Sequence, residues 1–451
     1  MLRKYLLPVL ILLILSIKTS AGNNPDTLHP KVKEKMKSGF NLGFLPVLAY
    51  ESDIGLKYGG IVNLFHYGDG TIYPDYKHSI YLEFSRTTKG SGINQLIYDS
   101  EYLIPKTRIT TEISYLTEQT LDFYGFNGYE SYYNLNYEDD SKDNPDYISR
   151  VFYRQDRKML ILRSDFQGNF FIKNTNWVAG IVRYDIDIDT VDITRLNKGK
   201  DEEDKLPAIQ GGLYGNYIDW GVIPENQIIG GACNFLKLGL RYDTRDNEPN
   251  PMKGIWSEIL LIWAPSFLDN YDYSFSKIAL THRQYFTIIE PTLSFAYRLG
   301  YQAKLSGDIP SYMLPFIFNA GRSRTRDGLG GSKTIRGVNR NRIVGNDMAY
   351  GNFELRWKFF RTIVLNQNFY MALTAFTDLG IVTKKYEIDT SGVPPQFIYF
   401  FPDEKESLHM GYGSGLYLAL NQNFVVAVNY GLAAKKDDGD GALYINLNFL
   451  F

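Results

Sequence analysis

The sequence predicts an all-β protein that crosses a membrane as a closed antiparallel β-barrel of about sixteen strands, and three observations predict it. Tyr and Phe supply 35 and 28 of the 451 residues, yet mean hydropathy is only −0.25. Membrane barrels combine these properties because aromatic girdles mark both interfaces while a polar lumen lowers the average. Beyond the N-terminus, no run of about 20 apolar residues is present to form a spanning helix. Apolar side chains instead recur at every second position, over runs close to the roughly 9–11 residues that a tilted membrane strand needs. An aromatic-rich soluble β-sandwich is the competing architecture, since it shares the short strands. A formal charge of −2 gives nucleic-acid binding no electrostatic support.

Residues 1–21 read as a secretory signal peptide. Arg3 and Lys4 precede an apolar run from Tyr5 to Ile17, and Thr19, Ser20 and Ala21 supply the small residues cleavage requires. Cys233 is the only cysteine, so neither an internal disulfide nor a lipid-modified cysteine is expected. Residues 22–38, with Lys31, Lys33, Glu34, Lys35 and Lys37, are expected to form a short polar periplasmic tail, and residues 39–451 the barrel. Strands are expected near 40–50, 55–66, 79–88, 93–103, 108–120, 151–163, 177–187, 235–243, 255–264, 271–286 and 292–304, with five more after residue 338. The even total agrees with single-chain bacterial barrels.

Alternation assigns the faces. Leu443, Ile445, Leu447, Phe449 and Phe451 fall on one side of the last strand, with Tyr444, Asn446 and Asn448 on the other. Phe353, Leu355, Trp357 and Phe359 oppose Asn352, Glu354, Arg356 and Lys358. Each of those charges would cost about 2–4 kcal/mol facing lipid near the midplane, so that face is expected to point inward. In the next strand Phe369, Met371, Leu373, Ala375 and Leu379 point out, leaving Tyr370, Thr374, Phe376, Asp378 and Gly380 inside. Glu354 and Asp378 are therefore expected to share the lumen. Polar segments at 127–147, 189–230 and 384–406 fall on one rim, assigned to the cell exterior, and the acidic run Asp201, Glu202, Glu203 and Asp204 reads as solvated loop. Asn-containing joints at 365–368 and 420–423 read as tight turns on the opposite rim.

The first strand contains Pro46, which has no N–H to give to a ladder. Proline belongs at a sheet edge, so the closure of this strand on residues 441–451 is expected to be a weak seam. A local bulge is the other reading of Pro46.

Before the last five strands the chain reads Gly328-Leu329-Gly330-Gly331-Ser332-Lys333-Thr334-Ile335-Arg336-Gly337-Val338. Glycines permit sharp turns and close approach, and the guanidinium can serve two carboxylates at once. Ile335-Arg336-Gly337-Val338 resembles the loop motif of the BamA/TamA outer-membrane assembly family, the bacterial surface-antigen barrels, with Val338 where that family usually has an aromatic. Phe376-x-Asp378-x-Gly380 is similar to the family's second lumen motif, and 352–356 resembles the strand after its sixth extracellular loop. Tyr242 to Asn247, with Pro251 and Gly254, resembles one of its periplasmic turns. These motifs stand in order along a resemblance that covers about 39–451.

The resemblance implies that the sixth extracellular loop folds into the lumen, with Arg336 as anchor and Asp378 and Glu354 as receptors. Phe376 and Gly380 are expected beside them, and Val338 is expected to loosen the loop tip. It also implies a client strand or lipid opening at the seam, and reads Phe451, with Phe449, as a C-terminal aromatic signal. Family members carry periplasmic POTRA modules, and residues 22–38 are too few for one.

The expected function is assistance to protein insertion or translocation at the outer membrane of a Gram-negative bacterium. Its expected partners are outer-membrane lipid, client outer-membrane proteins or a separate assembly complex, and the barrel is expected to be monomeric. A passive pore or surface scaffold retaining the loop latch is the alternative. Catalysis is not expected, because His29, His66, His78, His282 and His409 lie in no serine-centred motif and lack metal-ligand spacing. No cofactor or metal is expected, and His409 reads as a space-filler among lumen glycines.

Overall fold

In the computed structural model, the described residues are 36–451 except 53, 74–75, 249, 271–272, 321–326, 365–366, 421–423 and 448. The expected signal peptide, nearly all of the tail and the residues at the centres of the two Asn-containing joints lie outside them. The first eight strands are β1 (Phe40–Glu51), β2 (Gly55–His66), β3 (His78–Thr87), β4 (Gly92–Ile104), β5 (Thr107–Asp122), β6 (Arg154–Asn169), β7 (Thr175–Asp189) and β8 (Gly230–Asp243). The second eight are β9 (Gly254–Ala264), β10 (Phe275–Ile289), β11 (Leu293–Gly307), β12 (Asp347–Val364), β13 (Gln367–Lys384), β14 (His409–Leu420), β15 (Phe424–Ala433) and β16 (Ala442–Leu447). Each strand pairs antiparallel with the next, and β1 pairs with β16, closing a sixteen-stranded barrel. Among the described residues, no helix is long and apolar enough to cross a membrane.

The period-2 pattern decides which side chains face out. Leu355, Trp357 and Leu373 are exposed, whereas Asn352, Glu354, Arg356 and Asp378 on the alternate face are almost fully buried. Polar groups turn inward because they find partners there, which leaves the outward face to apolar side chains. Every odd-to-even connection lies on one rim, and the segments 123–153, 190–229, 308–346 and 385–408 are all of this kind.

Some boundaries differ from the sequence reading. The strand expected at 151–163 begins at Arg154 and runs to Asn169, because Val151 is buried with Val191 and Leu206 and Phe152 and Tyr153 are buried in the aromatic core beneath the long loops. That core also takes Phe123, Tyr124, Phe126, Tyr133, Tyr217, Trp220 and Phe400. The segments that read as polar therefore pack over one end of the barrel, while the acidic run 201–204 is exposed as expected. A larger correction concerns the last residues. The ladder ends at Leu447, and Phe449 and Phe451 are buried rather than continuing the outward face. Phe449 stacks on the buried Tyr417 ring at 4.6 Å. Arg356 lies over both phenylalanine rings, at 4.5 and 5.1 Å, and gives an N–H to the Phe451 carbonyl at 3.0 Å. Cation–π attraction and the buried hydrogen bond draw the chain inward off its strand.

Candidate functional site

The loop before β12 folds on itself before it touches the wall. Gly330 and Gly331 have φ of +115° and +76°, a region that only glycine adopts without strain. Gly331 N–H donates to Val338 O at 2.8 Å, and Thr334 Oγ1 both donates to Gly330 O and accepts from Gly330 N–H, each at 2.8 Å. This turn, with Gly337 at φ +94°, presents Arg336.

Arg336 reaches the inner faces of β12 and β13. Its backbone N–H, Nε and Nη2 all donate to Asp378, at 3.0, 2.8 and 3.0 Å. Nη1 lies 2.8 Å from Glu354 Oε1, and the guanidinium covers the Phe376 ring at 3.5 Å from its centroid. The structure thus brings together Arg336, Glu354, Phe376 and Asp378. Arg356 Nε occupies the second Glu354 oxygen at 2.8 Å. Two arginines thus meet two carboxylates, a pairing that offsets the desolvation of these buried ions.

Glycines in the wall let the loop come close. A Cβ on Gly380 would lie 2.2 Å from Ile335 Cδ1, and one on Gly411 would lie 2.0 Å from the Arg336 carbonyl. A Cβ on Gly431 would lie 2.7 Å from the Gly337 nitrogen. Ile335 and Val338 are buried with Leu329, Ile343, Met348, Tyr350 and Val382. Val338 is only 1% exposed, so the expectation that it loosens the tip is corrected: an aliphatic residue fills this apolar cluster.

Sequence reasoning missed several further contacts. Arg298 donates to Asn352 Oδ1 at 2.8 Å and to the loop carbonyl of Lys333 at 2.9 Å. Arg340, four residues after Arg336, donates to Asp327 Oδ2 at 2.9 Å and also binds Glu118 of β5. Arg157 of β6 joins Glu118 and Asp327, with Nε 2.9 Å from Glu118 Oε2. Alternation marks Glu118 and Arg157 as polar wall positions, but no local pattern pairs them with a loop some 200 residues later. His409 is likewise no space-filler. Its Nδ1 lies 2.6 Å from Asp438 Oδ1 and its ring stacks on Tyr129 at 3.9 Å. Tyr129 donates to the other Asp438 oxygen at 2.6 Å, and burial with that bond raises its phenol above its ordinary value. On the outward face Ser257 Oγ lies 2.7 Å from His282 Nδ1, a meeting across two strands that no linear motif announces; the far ring nitrogen faces Tyr297 rather than a carboxylate.

The second feature is the seam. β1 pairs with β2 through twelve consecutive residues without a register shift, Pro46 opposite Gly60, so Pro46 is not a bulge. With β16, the registered pairs among the described residues are Tyr50↔Ile445 and Glu51↔Tyr444, extended by Ser52 N–H donating to Leu443 O at 3.1 Å. Among the described residues, 40–49 have no β16 partner, and Pro46 lies inside that unpaired edge. Phe40, Leu42, Phe44 and Leu48 beside it are exposed.

Residues 230–451 match the Omp85 superfamily domain. Among solved structures, BamA from Haemophilus ducreyi lacking POTRA domains 1-3 is similar at 15% identity and a TM-score of 0.52, covering 91% of this chain and 70% of that one. CdiB from Escherichia coli is similar at 10% identity and a TM-score of 0.53, covering 91% of this chain and 62% of that one. The chain thus spans less than two thirds of CdiB, and at these identities the likeness is one of fold. No curated protein sequence matches the chain.

Proposed function

Because this chain carries an Omp85 superfamily domain across residues 230–451, we propose that it is an outer-membrane barrel of a Gram-negative bacterium that assists the insertion or translocation of other proteins. In this reading the loop around Arg336 occupies the lumen, and clients engage at the seam between β1 and β16. Its partners are outer-membrane lipid and unfolded outer-membrane proteins, or an assembly complex that handles them, and it works by strand pairing without covalent chemistry.

One observation carries the proposal: the open edge of β1. Residues 40–49 hold a full ladder to β2 yet pair with no described β16 residue. An unpaired edge with an apolar outward face is a template for an added strand, and in lipid its unsatisfied backbone groups favour acquiring one. The alternative, a passive pore or surface scaffold that retains the loop latch, would have no use for an open β1 edge.

The test uses a photoreactive residue in place of Phe44, in proteoliposomes given an unfolded eight-stranded barrel as client. Crosslinks to the client during its folding are expected. No crosslink while folding proceeds, together with a large steady conductance of the purified barrel, would favour the passive pore.

A further inference from the structure

Among the described residues the seam closes only at the rim that carries the long loops, and the loop touches both strands there. Glu51 and Tyr444 are opposite one another in the β1–β16 register, and alternation sends both side chains inward. Ser332 Oγ donates to Glu51 Oε2 at 2.8 Å. Gly337 N–H donates to the Tyr444 hydroxyl at 3.1 Å, and Tyr444 is fully buried. Ser332 and Gly337 flank Arg336 in the same turn, which Gly331 N–H closes on Val338 O.

We propose that this loop is the bolt of the seam: it grips β1 through Ser332 and β16 through Gly337, and its own position is set by Arg336 on Asp378. Withdrawing the arginine removes both grips together, because the turn moves as one unit. The registered β1–β16 pairs then depend on a few backbone hydrogen bonds at a sheet end, where fraying is easiest. Loop and seam are two states of one element, and anything that lifts the loop lengthens the open edge. Glu51, Ser332 and Tyr444 are positioning residues in this scheme; they meet no client. The inference rests on the proposed role of the seam and adds what controls it.

Amide hydrogen exchange of the barrel in lipid nanodiscs, without client, tests it. Ser332→Ala with Tyr444→Phe removes one hydroxyl from each grip while preserving shape, and heat-modifiable gel mobility verifies folding. Exchange in peptides covering 47–52 and 442–447 is expected to rise roughly 5- to 30-fold, with β8 and β9 peptides unchanged. No rise at the seam, or an equal rise in β8 and β9, overturns the proposal. Because no client is present, that failure is distinguishable from failure of the assembly reading, which the crosslinking experiment decides.

Discussion

Arg336 meets Asp378 three times, through its backbone N–H at 3.0 Å, Nε at 2.8 Å and Nη2 at 3.0 Å. The carboxylate thus fixes the loop's main chain and its side chain together, so the pair sets where the turn lies as well as balancing charge. A lysine has no planar fork with which to repeat this.

Arg336→Ala leaves Asp378 and Glu354 buried without their partner, a loss expected to cost roughly 3–5 kcal/mol. Denaturant unfolding of the detergent-solubilised barrel measures it. Arg336→Lys is expected to recover less than half of that. Charge reversal at Asp378 is expected to make residues 328–338 protease-sensitive, and unchanged protection would sink the pairing.

Alanine at three glycines is expected to damage loop seating in a definite order. At Gly411 the new Cβ meets the Arg336 carbonyl at 2.0 Å, and at Gly337 it meets Leu432 backbone at 2.5 Å with φ already +94°. Neither contact can be relieved by rotating a side chain. At Gly380 the obstacle is Ile335 Cδ1, the end of a flexible chain. Gly411→Ala and Gly337→Ala should each cost about 1–3 kcal/mol and Gly380→Ala less. Thermal unfolding of the three variants gives the order.

Arg340 binds Glu118 and Asp327, and Glu118 stands on β5, seven strands from the β12 that carries Glu354. With no shared partner, the losses from Arg336→Ala and Arg340→Ala should add to within about 0.5 kcal/mol. A double-mutant cycle on unfolding free energy checks this; strong coupling would mean that the two contacts form one network.

Tyr129→Phe removes the donor to Asp438 Oδ2 and leaves one buried carboxylate oxygen short. A loss of about 1–3 kcal/mol is expected, seen as faster proteolysis within 123–153. An unchanged cleavage rate would show that the Tyr129 bond does not hold this segment.

The barrel was legible because alternation is local: an apolar outer face and polar partners inside write the face of Leu355 or Glu354 into every second residue. Strand number and the shared inner face of Glu354 and Asp378 followed from that parity, whereas their role as receptors for Arg336 was implied by the resemblance of the loop motif. The inward turn of Phe449 and Phe451 was not legible, because their parity is identical whether the strand continues or ends at Leu447. What decides it is Arg356 and Tyr417, residues distant in sequence. The same holds for Arg340 with Glu118 and His409 with Asp438, where long-range packing chooses among many equivalent polar side chains. The weak seam could be inferred from Pro46, but its extent depends on the last residues leaving the sheet.

In the proposed function a client strand adds to the open β1 edge, and the remaining β1–β16 pairs at Tyr50 and Glu51 give way as it does. Tyr50 and Ile445 are opposite in register, at the Cα separation of about 4.5–5.5 Å typical of antiparallel partners, which a disulfide can span. Tyr50→Cys with Ile445→Cys, in a Cys233→Ser background, locks them when oxidised. In proteoliposomes with an unfolded eight-stranded barrel as client, assisted folding is expected to stop in the oxidised protein and return on reduction. Assisted folding that continues undiminished with the crosslink fully formed would contradict the account.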